Sequence, residues 1–276
     1  MNGAEAKSDK GLDPFAVRSV LFLPASNPRA VAKARAAGSD LVVLDLEDAV
    51  KSEDKDSARD AAVAAVAADW PMPVAIRINA VGTEWHSLDV DSVARSEADL
   101  VVVPRAISAH LVHGVAEAVN KPVLAMIETA AGVIAAAEIA KEAAGLIAGT
   151  NDLRADLRLP LDGTREPISA ALQMIVLAAR AAGVAVFDGV FNRLDDPEGF
   201  SAEAEQGRRL GFDGKSLIHP NQIALCHRAF APSEAEIDRA HRLVEAFHGG
   251  AERFENEMIE RMHIESAQRL LERASA

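Results

Sequence analysis

Charged and polar side chains recur directly after short apolar runs along this 276-residue chain. Asp45, Glu47 and Asp48 follow the run beginning at Leu41, and Arg77 and Asn79 stand at the end of PVAIRIN. Arg105 follows LVVVP, Glu128 and Thr129 follow VLAMI, and Asn151 and Asp152 follow GLIAGT. Asp188 ends VAVFD, while the last such run carries Lys215 and is followed by His219. Two carboxylates at neighbouring positions of this kind, Glu128 and Asp152, can share a hard divalent cation such as Mg²⁺, with water or substrate completing the octahedron. The alternative is that one of them caps the following helix. Arg77 can clamp a substrate carboxylate through both oxygens. It can equally be an internal ion pair with Asp45, Glu47 or Glu128. Glu47 and Asp48 can tune a metal-bound water, or simply open a helix as favourable N-terminal acids.

Other chemistries are poorly served. The eight histidines show neither H-x-x-x-H nor H-E-x-x-H spacing, which argues against zinc. His219 alone stands at a strand end, as a site residue or as part of the turn before Pro220; the other seven read as helix-surface residues. No G-x-S-x-G elbow exists, and Cys226 falls within a helical stretch, so a Ser or Cys nucleophile is not expected. Lys215 can form a Schiff base if buried, but a solvated or anion-binding lysine is the simpler expectation.

The elements that must position these groups alternate regularly. Short apolar runs predict strands over Ser19–Leu23, 41–46, 73–78, Leu100–Val103, Val123–Ile127, 146–148, 184–187 and 214–218. Helical spacing separates them, with Asn27-Pro28 as a start signal and Gly38 as a stop. Eight β/α units in one stretch of this length predict a (β/α)₈ TIM barrel over residues 15–231, whose C-terminal face collects the residues named above. No G-x-G-x-x-G follows the first run, so the competing doubly wound nucleotide-binding sheet is unsupported. Beyond residue 231 the repeat ends. Ser233 and Glu236 form a capping-box signature, Gly249-Gly250 breaks the helix, and a last helix is predicted over about 258–274. Residues 232–276 are thus expected to be a C-terminal helical extension contributing to the active site or a subunit interface, and residues 1–14 a flexible leader.

Composition sets the partners. Net charge is −13, with 29 Lys+Arg against 42 Asp+Glu and no basic run, which excludes nucleic acid and anionic membrane as natural surfaces. No apolar run is long enough to span a bilayer, residues 1–14 lack a signal-peptide core, and one cysteine permits no internal disulfide. The expectation is a cytoplasmic enzyme whose anionic ligands are drawn in by local cations.

The motifs together resemble a known family. RSVLFLPASNPRAVAKA, DLVVLDLEDAV, VAIRINAVGTEWH, ADLVVVPRA, VLAMIETAAGV, GLIAGTNDLRADL, VAVFDGVF and LGFDGKSLIHPNQI, running from about Arg18 to Ile223, resemble the citrate lyase β-subunit-like family, grouped with the malyl-CoA lyases and the HpcH/HpaI aldolases. The resemblance implies a (β/α)₈ barrel, homotrimeric or hexameric, carrying one Mg²⁺ held by Glu128 of I-E-T and Asp152 of G-x-x-D-L. It implies that Arg77 of R-I-N grips the carboxylate of a 2-oxo acid, and that Phe22 and Lys33 line the acyl-CoA side. The implied chemistry is reversible, Claisen/aldol-type cleavage of a 3-hydroxy-acyl thioester (citryl-, malyl- or citramalyl-CoA-like, or on an acyl carrier protein) into an acyl thioester and a 2-oxo acid.

The tail departs from the family pattern. Related lyases carry a motif like G-A-F-x-L-D-G-K-M-I-D, whose last Asp is the acid/base and enters the neighbouring subunit's site. Here the stretch from Gly250 ends in Glu260, with Glu257 in place of the Lys. The extra methylene moves the carboxylate by roughly 1–1.5 Å, and a misplacement of about 1 Å can cost 10²-fold. Glu260 is the expected catalytic acid/base, or else only the start of a helix. Three alternatives to the lyase follow: a malyl-CoA-type thioesterase, a CoA-independent 2-oxo acid aldolase (disfavoured by the presence of the tail), and a non-catalytic acyl-CoA or keto-acid binding subunit.

Overall fold

The structure is a computed structural model that describes residues 13–160 and 164–275. It divides into two compact units, one running to Ala229 and the other beginning at Phe230. Most of the expected leader lies outside the described residues; Asp13 and Pro14 already belong to an ordered 3-10 turn, Pro14–Ala16, capped by Asp13 Oδ1 accepting from Phe15 N at 3.0 Å.

In the first unit strands and helices alternate: β1 (Ser19–Pro24), α1 (Pro28–Ala34), β2 (Leu41–Asp45), α2 (Lys55–Val66), β3 (Val74–Arg77), α3 (His86–Arg95), β4 (Leu100–Val103) and α4 (Ala109–Val119). There follow β5 (Val123–Ile127), α5 (Ala130–Glu142), β6 (Gly145–Ala148), α6 (Thr150–Asp156), α7 (Ser169–Ala182), β7 (Ala185–Asp188), α8 (Pro197–Leu210), β8 (Gly214–Leu217) and α9 (Ile223–Phe230). All eight strands are parallel. Each pairs with the next, and β8 returns to β1 through Ser19 opposite Lys215, closing the (β/α)₈ barrel that the sequence predicts.

The strands are buried on both faces, as unbroken apolar runs require. Inside, Val20, Val43, Ala75, Val102, Ile147 and Phe187 belong to one cluster that fills the barrel. Each fully buried valine, isoleucine or phenylalanine among them contributes about 1.5–3 kcal/mol. The helix signals act locally: Asn27 Oδ1 accepts from Ala30 N (3.1 Å) with Pro28 next, and Thr129 Oγ1 accepts from Gly132 N (3.0 Å). Strand register then aligns the rim, since Pro24 lies beside Asp45 and Asp45 beside Arg77.

Two differences from the expected elements matter. The sequence reading leaves residues 150–156 without a helix, yet α6 is there; seven mostly polar residues are too few to show a periodicity. In the second unit, α10 (Glu234–Ala246) starts on the expected Ser233–Glu236 capping box. The helix predicted from about 258 instead begins at Arg261 as α11 (Arg261–Ser275), preceded by an antiparallel hairpin, β9 (Glu252–Phe254) and β10 (Glu257–Ile259). Its two-residue turn, Glu255-Asn256, has φ of 49° and 67°, the left-handed pair that a tight hairpin needs. Asn favours that region, but Glu does not, which hid the turn. Ala240, Leu243, Ile259, Ile264 and Ala267 form this unit's own small core. Among the described residues no helix is long and apolar enough to cross a membrane.

Candidate active site

At the C-terminal ends of the strands a cavity of about 360 Å³ opens, lined by Phe22, Asp45, Asp48, Arg77, Glu128 and Asp152 among others. Parallel strands deliver these groups together because their ends share one rim. The first acidic residue of the rim, Asp45, ends β2 and is fully buried. Both its oxygens accept from Arg77, Oδ1 from Nε and Oδ2 from Nη2, each at 2.6 Å. Glu47 N and Ala49 N also donate to it, at 2.9 and 3.0 Å. The internal pair that the sequence left open for Arg77 is therefore formed. Its remaining Nη1 points to Glu47 Oε2 at 2.9 Å, an ionic contact without hydrogen-bond geometry, and to Asp48 at 3.8 Å. The guanidinium also lies 5.4 Å over the Phe22 ring. Buried among carboxylates, Arg77 holds its proton even more firmly than usual; the pull of Asp45 outweighs the burial.

Glu128 and Asp152 meet in the same cavity. Glu128 follows β5, is 2% exposed, and accepts from Arg105 N at 2.6 Å. That donor is aimed by a left-handed backbone at Arg105, φ 47°, just past β4. Burial pushes the Glu128 carboxyl up to about 7, Asp152 adding to the rise while Arg105 N–H and Arg77 oppose it. Asp152 sits in the first turn of α6, its carboxyl also raised, by burial and then by Asp48. Glu128 packs directly against Gly149, where a Cβ would stand 2.4 Å from both Glu128 Cβ and Oε2. Among the described residues no three or more His, Cys, Asp or Glu are grouped to hold a metal. The donor set is thus two carboxylates, with a third, Asp48, on the cavity wall. This suits an oxygen-loving cation that keeps several waters, as Mg²⁺ does.

The remaining expected residues are dispersed. Glu47 is partly buried behind Arg77, its carboxyl pushed up to about 8 because burial and the neighbouring acids outweigh the arginine already engaged by Asp45. Lys33 is exposed on α1 and is not part of the cavity lining. Glu260 belongs to the second unit, at the start of α11, where its backbone N–H donates to His263 Nδ1 at 2.9 Å. Lys215 is not solvated: it is fully buried and paired with Asp188 at 3.0 Å and Glu203 at 2.8 Å. His219 is the turn residue, its Nδ1 accepting from Asn221 N. His227 is not a free surface group, since Nε2 lies 2.8 Å from Ser19 Oγ and 3.4 Å from Asp40.

Sequence reasoning missed Lys55. Its buried ammonium donates to Leu46 O (2.7 Å), Glu47 O (2.7 Å) and Asn79 Oδ1 (2.6 Å), and so ties the loops after β2 and β3 together. Burial draws the Lys55 ammonium below the ordinary lysine range, against the pull of Asp45 and Glu47. In the sequence it is one charge among many on an Ala-rich helix, with no signal to separate it.

A family model described as HpcH/HpaI aldolase/citrate lyase matches residues 18–220. A (3S)-malyl-CoA thioesterase of Cereibacter sphaeroides is 40% identical over 274 residues, covering 95% of each chain. A citrate lyase subunit beta of Leuconostoc mesenteroides is 33% identical over 94% of this chain and 93% of its own. Among solved structures, protein CitE from Mycobacterium tuberculosis in complex with magnesium, acetoacetate and coenzyme A superposes with a TM-score of 0.83 at 35% identity, covering 95% of this chain and all of the other.

Proposed function

The chain belongs to the HpcH/HpaI aldolase/citrate lyase family, and from that premise we propose that it is a Mg²⁺-dependent carbon–carbon lyase. It cleaves a 3-hydroxy-acyl thioester, citryl-, malyl- or citramalyl-CoA-like, into an acyl thioester and a 2-oxo acid. The observation that carries this reading is the convergence of Glu128, Asp152 and Arg77 on one cavity at the barrel's C-terminal rim. The magnesium, acetoacetate and coenzyme A bound by the CitE relative support the ligand classes.

Glu128 and Asp152 are the residues that would hold the ion. When bound, Mg²⁺ supplies Lewis-acid polarisation of the 2-oxo acid half of the substrate. Arg77, fixed by Asp45, orients that half through its remaining edge and keeps its charge throughout. Phe22, beneath the guanidinium, gives the apolar wall against which the chain of the thioester lies. Lys33, on the exposed side of α1, is assigned to the CoA moiety outside the cavity. Asp48 adds negative charge on the cavity wall, and Glu47, its carboxyl pushed up to about 8 by burial, stands beside Arg77 largely protonated near neutral pH. Cleavage breaks the bond between the hydroxyl-bearing carbon and the carbon next to the thioester; the hydroxyl gives its proton to solvent as it becomes the 2-oxo carbonyl, and the electron pair of the broken bond leaves as a thioester enolate that takes up one proton. We assign that proton to Glu260, contributed by a neighbouring copy of the chain in a homotrimer or hexamer. Its backbone is already engaged by His263 at the start of α11, which fixes where the side chain begins.

A second reading, thioester hydrolysis, is favoured by the relatives at 40% identity named (3S)-malyl-CoA thioesterase. One experiment separates the two. With Mg²⁺ and malyl-CoA or citramalyl-CoA, release of 2-oxo acid without free thiol identifies the lyase, and loss of that release in Glu260→Gln identifies its acid/base. Free thiol with malate or citramalate identifies hydrolysis. Ligand binding with neither product refutes both and leaves a non-catalytic binding subunit.

A further inference from the structure

Beside the cavity just described lies a second, of about 440 Å³, on the rim between α6 and the loop after β7. The two share Thr150, Asn151, Val190 and Asn192 in their walls. Asn151 and Asn192 exchange side-chain hydrogen bonds of 2.8 and 3.3 Å, so an amide pair forms the partition. The charge on the two sides differs in sign. The first cavity is lined by four carboxylates and one arginine, and the second by Arg154, Arg165 and Arg193 against Glu203 alone.

Each arginine is held in place by neighbouring groups. Arg154 donates to the carbonyls of Pro160 and Thr164. Arg193 lies 5.4 Å over the Phe191 ring and pairs with Asp196, with 69% of its side chain still exposed. Arg165 is about nine-tenths buried and pairs with Asp188 through Nη2 at 2.5 Å. Its Nε has no hydrogen-bond acceptor; Glu203 Oε2 stands 4.0 Å away. A buried guanidinium N–H without an acceptor costs free energy that an arriving oxygen would recover. In a chain of net charge −13 this concentration of arginine is local. Guanidinium forks and side-chain amides are the donors that match a carboxylate.

We propose that this second cavity is a carboxylate-binding subsite. The carboxylate has two sources: an additional acid group on the ligand of the first cavity, passing the Asn151–Asn192 partition, or a separate small organic acid. The inference does not rest on the lyase reading, because its test uses neither metal nor thioester.

The test is calorimetric titration of the full chain in EDTA with succinate and with tricarballylate, on the wild type, Arg193→Gln and Phe22→Ala. Arg193 is exposed enough for its loss to leave the fold intact, checked by circular dichroism. Saturable binding that weakens about fivefold to tenfold in Arg193→Gln, and further with added salt, supports the subsite. If tricarballylate also weakens in Phe22→Ala while succinate does not, the ligand spans both cavities. If neither weakens there, the acid is a separate one. Absence of binding up to about 10 mM, or binding unchanged by Arg193→Gln, overturns the proposal.

Discussion

Replacing Gly149 by alanine tests the cation site without touching a proposed ligand. At Gly149 the backbone has φ of −94°, which alanine adopts freely, so the substitution acts through its added methyl alone. That methyl would meet Glu128 Cβ and Oε2 at 2.4 Å, about 1 Å inside ordinary contact. Glu128 cannot simply retreat, because it is buried and its Oε1 is held by Arg105 N. Overpacking of this kind costs about 1–3 kcal/mol in the metal-free protein. The larger effect is on the cation. With free Mg²⁺ at 100 times its Kd, binding stabilises the wild type by about 2.7 kcal/mol, or roughly 5–11 °C in Tm. If displaced Glu128 weakens binding 100-fold, the same Mg²⁺ adds only about 0.4 kcal/mol, roughly 1 °C. The assay is thermal unfolding of both proteins with EDTA and with Mg²⁺, and Glu128→Gln should reproduce the lost Mg²⁺ response without the EDTA-state penalty. A Gly149→Ala protein that retains the full Mg²⁺ shift would refute the role given to Glu128.

Three further outcomes are expected. Asp45→Asn removes one member of a buried, doubly hydrogen-bonded pair and leaves Arg77 partly uncompensated, a loss of about 3–5 kcal/mol in denaturant unfolding; a loss under 1 kcal/mol would show that Glu47 and Asp48 suffice to balance Arg77. The Asp40 carboxyl is held well below its ordinary range because the hydrogen bonds from His227 and Arg18 outweigh its burial. Its folded-state value is depressed, so its stabilisation is present above the ordinary carboxylate range and lost as pH falls further; Asp40→Asn should flatten the acid limb of the stability curve, and an unchanged limb counts against the pairing. Cys226 is fully buried and burial pushes its thiol up to about 12. Its folded value is raised, so stability falls as pH climbs past the ordinary thiol range, and a thiol reagent near pH 8 should label the protein only on unfolding.

Much of this was legible from the chain. Unbroken β-branched runs such as LVVV, bounded by turn signals, read as strands buried on both faces, and eight strands separated by helices leave few architectures. Glu128, Asp152 and Arg77 could be singled out because a barrel gathers strand ends, whatever their distance in sequence. What could not be read were partners fixed by tertiary placement. Lys215 looked solvated until Asp188 and Glu203 were found beside it. Lys55 depends on carbonyls of a loop that it meets only in the fold. Gly149 was visible as a glycine, but the side chain it makes room for was not. The hairpin over 252–259 was hidden because a Glu occupies a left-handed turn position.

The rim is held by three devices that act in pairs of strands. Asp45 and Arg77 join the ends of β2 and β3, and Lys215, near the start of β8, reaches Asp188 at the end of β7. Between β5 and β6 the device is steric, Gly149 against Glu128. Buried ion pairs roughly break even in stability, because desolvation cancels most of their attraction. Their presence beneath both cavities is therefore better explained by position than by stability. Arg77, held along one edge by Asp45, keeps Nη1 on the side of the first cavity's acids, and Arg165, held through Nη2 by Asp188 and through Nη1 by Glu203 O, keeps Nε without an acceptor beside the second. Charge fixed in this way need not reorganise when substrate arrives, which is the condition for electrostatic catalysis and for selective anion binding alike.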